Sequence, residues 1–227
     1  MNETLTRTAA LIGEKSVEKL KNARVIVFGL GGVGGYTAEA LARSGVGSMD
    51  IVDNDVFALS NINRQIGALH STIGRRKTEV MAERLRDINP ELKITAHELF
   101  VLPENVEQFD FSAYDYVVDA IDTVKSKIAI IERAKMSGVP VLSAMGAGNK
   151  LDPTKFKAVD ISKTSVCPLA RAVRQELKKR GINDVKVVYS EETPAKTDFS
   201  VPASIVYATA VMGLLIAKEV IDDLICK

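Results

Sequence analysis

A glycine-rich turn follows a short apolar segment near the start of the chain. Residues 25–28 are Val-Ile-Val-Phe, and Gly29, Gly31 and Gly34 come next, with Gly32 between them. Glycine lets backbone N–H groups approach a phosphate, and the helix after such a turn directs its positive end at that charge. The pattern predicts a nucleotide site. Taken alone, the turn fits NAD or FAD as well as ATP.

A second strand is predicted over 49–53, and it ends in an acid. Asp53 lies roughly 20 residues beyond the turn, where a carboxylate holds a ribose hydroxyl in nucleotide-binding folds. The polar segment 54–74 and the start of the next helix carry further side chains that could contact a nucleotide, namely Asp55, Asn61, Arg64 and Lys77.

These side chains suit nucleotidyl transfer better than hydride transfer. Attack on an α-phosphate builds negative charge on the phosphoryl oxygens and on the leaving pyrophosphate, and Arg64 and Lys77 can neutralise that charge. Asp122 follows the fourth predicted strand, where its carboxylate could hold Mg²⁺ against the phosphates. A hydride-transfer enzyme needs none of these groups, so the set favours ATP with Mg²⁺.

The elements that must position these groups alternate between strand and helix. Strands are predicted at 24–28, 49–53, 92–97, 116–120 and 140–144, with helices at 33–44, 76–88 and 123–137 between them and a leading helix, or two short ones, over 3–21. This order predicts an α/β fold with a doubly wound, mostly parallel, Rossmann-like sheet. We expect a single domain over 1–227, with a nucleotide-binding core at 1–150.

The pattern changes after residue 150. Strands are predicted at 155–161 and 185–190, on either side of a basic helix at 168–180, and an apolar helix at 204–225 closes the chain. We expect residues 151–227 to form a small C-terminal lobe that faces the substrate. The basic helix carries five cations against Glu176 alone, which favours RNA over a merely solvated face. These cations are Arg171, Arg174, Lys178, Lys179 and Arg180.

The overall composition excludes several classes of protein. The net charge is +1, so contact with nucleic acid would need a local patch. The chain has two cysteines, Cys167 and Cys226, which argues against a disulfide framework and for a cytoplasmic protein. The polar N-terminal segment predicts no signal peptide. The longest apolar stretch, 203–217, is shorter than a bilayer span and contains polar residues, so we expect no membrane contact.

The motifs together resemble the ubiquitin-activating-type adenylyltransferases, in the glycine turn, the Asp-x-Asp pair, the Asn-x-x-Arg-Gln run, the downstream lysine and the late aspartate. Within that superfamily the chain is most similar to the tRNA threonylcarbamoyladenosine dehydratases. The similar sequence motifs extend over nearly the whole chain. The segment that is specific to the dehydratases is 145–170, which includes Met-Gly-Ala-Gly-Asn-Lys-Leu-Asp-Pro-Thr at 145–154. The connector 191–203 looks shorter than the link this family usually has there.

The resemblance implies a role for each matching residue. Gly29, Gly31 and Gly32 would line the ATP phosphates, Asp53 would take the ribose, and Asp55 would be a supporting carboxylate. Asn61 and Arg64 would face the triphosphate, Lys77 would neutralise it, and Asp122 would bind Mg²⁺. The resemblance also implies tRNA as substrate and a homodimer in which Arg7 enters the neighbour's ATP site, and it leaves a sulfur-relay protein open as a partner.

Three interpretations of function stay open on the sequence. The first is ATP-dependent adenylation and dehydration, with ring closure, of threonylcarbamoyladenosine next to the anticodon. The second is adenylation of the C-terminal glycine of a ubiquitin-like or sulfur-carrier protein, although the usual zinc-binding Cys-x-x-Cys pairs of such enzymes are absent from the sequence. The third is a non-catalytic nucleotide-binding module. Cys167 is a candidate thioester nucleophile only if an acyl group passes to the protein, and we favour ring closure without it.

Overall fold

A seven-stranded sheet forms the centre of the molecule in a computed structural model that describes residues 3–198 and 202–226. The strand order is β3-β2-β1-β4-β5-β7-β6. The strands are β1 (Arg24–Phe28), β2 (Ser48–Val52), β3 (Lys93–His97), β4 (Tyr116–Asp119), β5 (Val141–Ala144), β6 (Phe156–Asp160) and β7 (Lys186–Ser190).

The sheet is parallel from β3 to β7, and only β6 runs antiparallel, beside β7. Strand β1 is central, and its apolar run is covered on both faces. Val25 and Val27 belong to one apolar cluster, whereas Ile26 and Phe28 belong to the other. A run of consecutive apolar residues is what a strand buried on both faces requires.

Helices cover both faces of the sheet. They are α1 (Thr6–Ile12), α2 (Glu14–Asn22), α3 (Gly34–Arg43), α4 (Lys77–Ile88), α5 (Val124–Met136), α6 (Pro168–Lys179) and α7 (Val206–Cys226). Buried residues of α3, α4 and α7 pack in one cluster, and those of α5 and α6 pack in the other. The two layers make the sheet doubly wound, as the sequence predicted.

Helix α7 packs closely against α3 at a glycine. A Cβ atom on Gly213 would lie 2.5 Å from the carbonyl oxygen of Val33 and 2.9 Å from Cβ of Tyr36, so a larger residue would force the helices apart. The Thr37 hydroxyl donates a hydrogen bond to the Gly213 carbonyl at 3.0 Å, and both helices contribute fully buried residues to the same cluster. The closing helix is therefore part of the same core as β1 and α3.

The predicted elements are present, with ends that differ by a few residues at most. The leading helical segment 3–21 is divided at Gly13, which has a φ of +86°, into α1 and α2. Residues 151–226 contribute β6, α6, β7 and α7, and both strands extend the main sheet. Part of the predicted connector, 199–201, lies outside the described residues. No helix in the described part of the chain has the length and apolar character needed to cross a membrane.

Candidate active site

A cavity of about 1400 Å³ opens at the carboxyl ends of β1, β2, β4 and β5. The strand order reverses between β1 and β4, and ligands of open α/β sheets bind at such a point. Nine of the ten predicted site residues line this cavity: Gly29, Gly31, Gly32, Asp53, Asp55, Asn61, Arg64, Lys77 and Asp122. The tenth, Arg7, does not line it and is exposed on α1.

The glycine turn is held between the end of β4 and the start of α7. Gly29 has a φ of +88°, and a Cβ atom there would lie 2.8 Å from the carbonyl oxygen of Ala120, so only glycine fits. On the other side, a Cβ atom on Gly32 would lie 3.2 Å from Thr209 of α7. The turn is thus fixed by its neighbours before any nucleotide binds.

Asp53 orients the same turn through its carboxylate. Its oxygens accept hydrogen bonds from the backbone N–H of Leu30 at 2.7 Å and of Asp55 at 2.9 Å. Lys77, 5% exposed, donates to the Asp55 carboxylate at 2.8 Å, and its ammonium lies 3.8 Å from the Asp53 carboxylate. The ammonium of Lys77 is therefore placed in the cavity wall by two carboxylates.

Arg64 and Asn61 are held by the short loop that precedes α4. The Arg64 guanidinium donates to the carbonyl of Ser60 at 2.8 Å and to the side-chain oxygen of Asn63 at 2.9 Å. The Asn61 side chain accepts the N–H of Ala58 at 3.0 Å. Both side chains are ordered by their own loop, which would reduce the entropy lost on contact with a ligand in the cavity.

Asp122 follows β4 and is exposed to the cavity. Its carboxylate accepts one long side-chain hydrogen bond, from the Thr123 hydroxyl at 3.4 Å, so its oxygens remain available to a cation. Mg²⁺ at nucleotide sites takes one or two carboxylates together with phosphate oxygens and water. The position and chemistry of Asp122 fit that requirement.

Asp119, three residues earlier, has a different environment. It is fully buried, and its carboxylate accepts hydrogen bonds from the Lys127 ammonium at 2.9 Å and from the Ser143 hydroxyl at 2.6 Å. These contacts give Asp119 a structural role in packing β4 against α5 and β5. Sequence reasoning missed Lys127, because a lysine in the middle of a helix usually reaches solvent.

The wall opposite Asp53 is formed by the loop after β5 and the start of α6. Lys150 is 2% exposed there and donates a hydrogen bond to the carbonyl of Glu192. Burial lowers the pKa of Lys150 below its usual value. Cys167 is 6% exposed, caps α6 and accepts the N–H of Ala170 at 3.5 Å. Sequence reasoning missed Lys150 as a site residue, since only its burial distinguishes it from a surface lysine.

The basic helix α6 keeps fewer free cations than its sequence indicated. Arg174 donates to the carbonyl of Thr164 at 2.8 Å and to its hydroxyl at 2.6 Å. Lys179 and Arg180 both pair with Glu176. Arg171 and Lys178 are exposed, and their side chains make no hydrogen bond or ion pair with other residues in the described part of the chain.

Comparison with known proteins adds independent information on this fold and site. The ThiF family model matches residues 5–226. The tRNA threonylcarbamoyladenosine dehydratase of Bacillus subtilis strain 168 is 40% identical over 243 residues, covering 99% of this chain and 96% of that protein.

A solved structure and a second group of relatives extend the comparison. The crystal structure of the Escherichia coli tRNA N6-threonylcarbamoyladenosine dehydratase in complex with ATP matches with a TM-score of 0.93 at 37% identity, covering 98% of this chain and 94% of that chain. A probable adenylyltransferase/sulfurtransferase of Mycobacterium tuberculosis, MoeZ, is 36% identical over 57% of this chain and 33% of its own length.

The buried pair of Lys127 and Asp119, which adjoins the cavity-lining Ala120, generates a stability prediction. Changing Lys127 to Met should lower the free energy of unfolding by about 3–5 kcal/mol, because it leaves the Asp119 carboxylate buried without its counter-charge. Denaturant unfolding followed by circular dichroism measures the difference.

Lys125 offers a matched control on the same helix, because it is exposed. Its change to Met should alter stability by no more than about 0.5 kcal/mol. The double variant Lys127→Met with Asp119→Asn should recover part of the loss. Equal stability of Lys127→Met and wild type would show that the pair does not stabilise the fold.

Proposed function

This chain belongs to the ThiF family, and from that premise we propose that it is an ATP-dependent tRNA threonylcarbamoyladenosine dehydratase. The observation that carries the proposal is the cavity, which joins nine of the ten predicted site residues to residues of the 145–170 segment that distinguishes these dehydratases. The likeness to the Bacillus subtilis and Escherichia coli dehydratases, over nearly the whole chain, supports the same conclusion.

Ring closure onto the threonyl carboxylate must expel an oxygen. The carboxylate therefore needs activation, because hydroxide is a poor leaving group. An oxygen of the threonyl carboxylate attacks the α-phosphorus of ATP, and the bond to pyrophosphate breaks. Arg64 and Lys77 stabilise the charge that grows on the phosphoryl oxygens and pyrophosphate. An atom of the carbamoyl group in the same modified base then attacks the acyl carbon, AMP leaves, and the ring closes after loss of a proton. The net change is the loss of one water molecule from the base.

Mg²⁺ is part of the proposal, with Asp122 as the protein ligand. When bound, the ion would neutralise phosphate charge during attack on the α-phosphorus. The proposed contribution of Asp122, which lines the same cavity as the glycine turn, is to hold the ion through its carboxylate.

The tRNA needs a surface beside the cavity, and α6 supports one. The first residues of α6, Pro168 and Leu169, line the cavity, and Arg171 lies less than one turn further along. Because Arg171 and Lys178 are exposed and unengaged, they are the cations of α6 that we assign to phosphate contacts. Arg174 is held by Thr164, so its role in α6 is structural.

A homodimer completes the proposal. Arg7 is exposed on α1, away from the cavity of its own chain, and Leu11 lies one turn along the same helix with 84% of its surface exposed. Residues four apart share a helix face. An exposed leucine beside an exposed arginine supports the contact in which Arg7 enters the site of a second copy. A cytoplasmic setting, with access to tRNA, belongs to the same proposal.

The direct test is mass spectrometry of tRNA nucleosides after incubation with protein, ATP and Mg²⁺. We expect threonylcarbamoyladenosine to convert to a product lighter by one water molecule, with one AMP and one pyrophosphate formed per event. Pyrophosphate exchange driven by a ubiquitin-like protein, and not by tRNA, would favour activation of a C-terminal glycine. Absence of pyrophosphate exchange with both tRNA and the ubiquitin-like protein would indicate a non-catalytic nucleotide-binding module.

Arg64 provides a variant that separates chemistry from folding. Changing Arg64 to Ala should lower the rate of adenylation roughly 100-fold or more, the usual effect of removing a partner of transition-state charge. Arg86→Ala is the matched control, since Arg86 is exposed on α4 outside the cavity. Pyrophosphate exchange measures both, and a rate near wild type for Arg64→Ala would remove this residue from the active site.

Cys167 tests whether the acyl group ever leaves the substrate. Because the nucleophile for ring closure is on the modified base, Cys167→Ser should retain most of the activity, as should Cys226→Ser, the exposed control. Single-turnover rates with the tRNA substrate make the comparison. A trapped thioester at Cys167, with an inactive Ser variant, would replace this mechanism with acyl transfer to the protein.

A further inference from the structure

Lys150 is a buried cation that the steps described above do not use. It is 2% exposed, it lines the cavity, and its ammonium donates to a backbone carbonyl, that of Glu192. It forms no salt bridge with any residue in the ranges 3–198 and 202–226. An ammonium has three donors, and burying one without a counter-charge is costly unless an anion joins it.

The Glu192 carboxylate acts on Lys150 only from beyond salt-bridge distance, because its oxygens accept backbone N–H groups instead. Glu192 accepts the backbone N–H of Leu151 at 3.0 Å and of Asp152 at 2.9 Å. Lys150 differs from Lys77 in its counter-charge, since Lys77 lies against two carboxylates of the protein. Lys150 therefore has the charge and the free donors to bind an anion that enters the cavity.

The location of Lys150 separates it from the nucleotide end of the cavity. Asp53 follows β2, whereas Lys150 follows β5, three strands away in the sheet. At about 4.8 Å between neighbouring strands, this separation is roughly 14 Å. The residues around Lys150 come from the loop after β5 and the start of α6, and Cys167 and Pro168 are among them.

The loop that carries Lys150 is fixed by its neighbour Asn149. This residue has a φ of +58°, and its N–H donates to the carbonyl of Ala203 at 2.7 Å. Its carbonyl accepts the N–H of Ala195 at 2.8 Å, and its side-chain oxygen accepts the N–H of Ala203 at 2.7 Å. Three hydrogen bonds to the connector hold the loop, which supports a rigid position for the next residue.

We propose that the Lys150 ammonium binds the carboxylate of the threonyl group that is to be adenylated. The inference rests on the proposed function, and it assigns a substrate-binding residue at the end of the cavity opposite Asp53. One carboxylate oxygen accepts from Lys150, while the other attacks the α-phosphorus. Burial lowers the pKa of Lys150, which agrees with a site that gains its counter-charge from the substrate.

The test compares two RNA ligands that differ only in the carboxylate. An anticodon stem-loop carrying threonylcarbamoyladenosine is measured beside the same RNA with the threonyl carboxylate replaced by a carboxamide, both without ATP. Wild-type protein should bind the acid roughly 10- to 100-fold more tightly than the amide, as a charged hydrogen bond provides. In Lys150→Met this ratio should fall to about 1.

Lys155→Met is the matched control, because Lys155 is exposed five residues further on and does not line the cavity. It should keep the wild-type ratio. Lys150→Gln is measured in parallel, since its amide retains a donor for the Glu192 carbonyl, and ATP affinity verifies that each variant is folded.

The outcomes separate the two proposals. If wild-type protein fails to bind the acid RNA and fails to dehydrate it, the proposed function is wrong. If wild type dehydrates it but both Lys150 variants keep the tenfold or greater preference for the acid, Lys150 does not bind the carboxylate and this inference is wrong.

Discussion

The buried ion pair between Lys127 and Asp119 is the interaction on which the geometry of the cavity depends. It joins α5 to the end of β4, and the Ser143 hydroxyl on β5 completes it. The second oxygen of Asp119 accepts the N–H of Ile121 at 3.2 Å, which fixes the backbone just before the proposed metal ligand. The carbonyl of the intervening Ala120 packs against the glycine turn. One group of buried charges thus positions both the phosphate turn and the carboxylate after β4.

The charges of the cavity are distributed in a way that the net charge conceals. The chain as a whole carries +1, so it has little long-range attraction for a nucleic acid or a nucleotide. Within the cavity, Lys77 is neutralised by carboxylates of the protein, whereas Lys150 has a carbonyl partner and no ion pair in the part of the chain described. The two lysines that line the cavity therefore differ in pairing: Lys77 has a counter-charge from the protein, and Lys150 makes no ion pair in the described part of the chain. An enzyme that must hold two anionic reactants together benefits from this difference. An anion that binds Lys150 does not have to displace a salt bridge within the protein.

Sequence patterns predicted most of the fold, and nine of the ten residues they selected line one cavity. Buried strands such as 24–28 and a glycine turn have strong local signals, and the carboxyl ends of parallel strands meet at one edge. The residues that the patterns missed are lysines whose meaning depends on burial, Lys127 and Lys150, because neither periodicity nor spacing distinguishes them from surface residues. Arg174 shows the reverse error, since it looks free in sequence but is held by Thr164 across a loop. Such contacts arise from tertiary packing, which a local pattern does not contain.

The packing of α7 against α3 has a consequence for how the protein is made. Apolar side chains of α7, among them Met212, Ile216 and Val220, fill the cluster that β1 and α3 begin almost 200 residues earlier. During synthesis the first three strands and their helices leave the ribosome long before α7 does, so α3 carries an uncovered apolar face in the interval. Contacts of such large sequence separation also slow folding. The nascent chain should therefore be a client of chaperones until α7 has docked, and a ribosome-stalled chain ending before residue 206 should be sensitive to protease in α3.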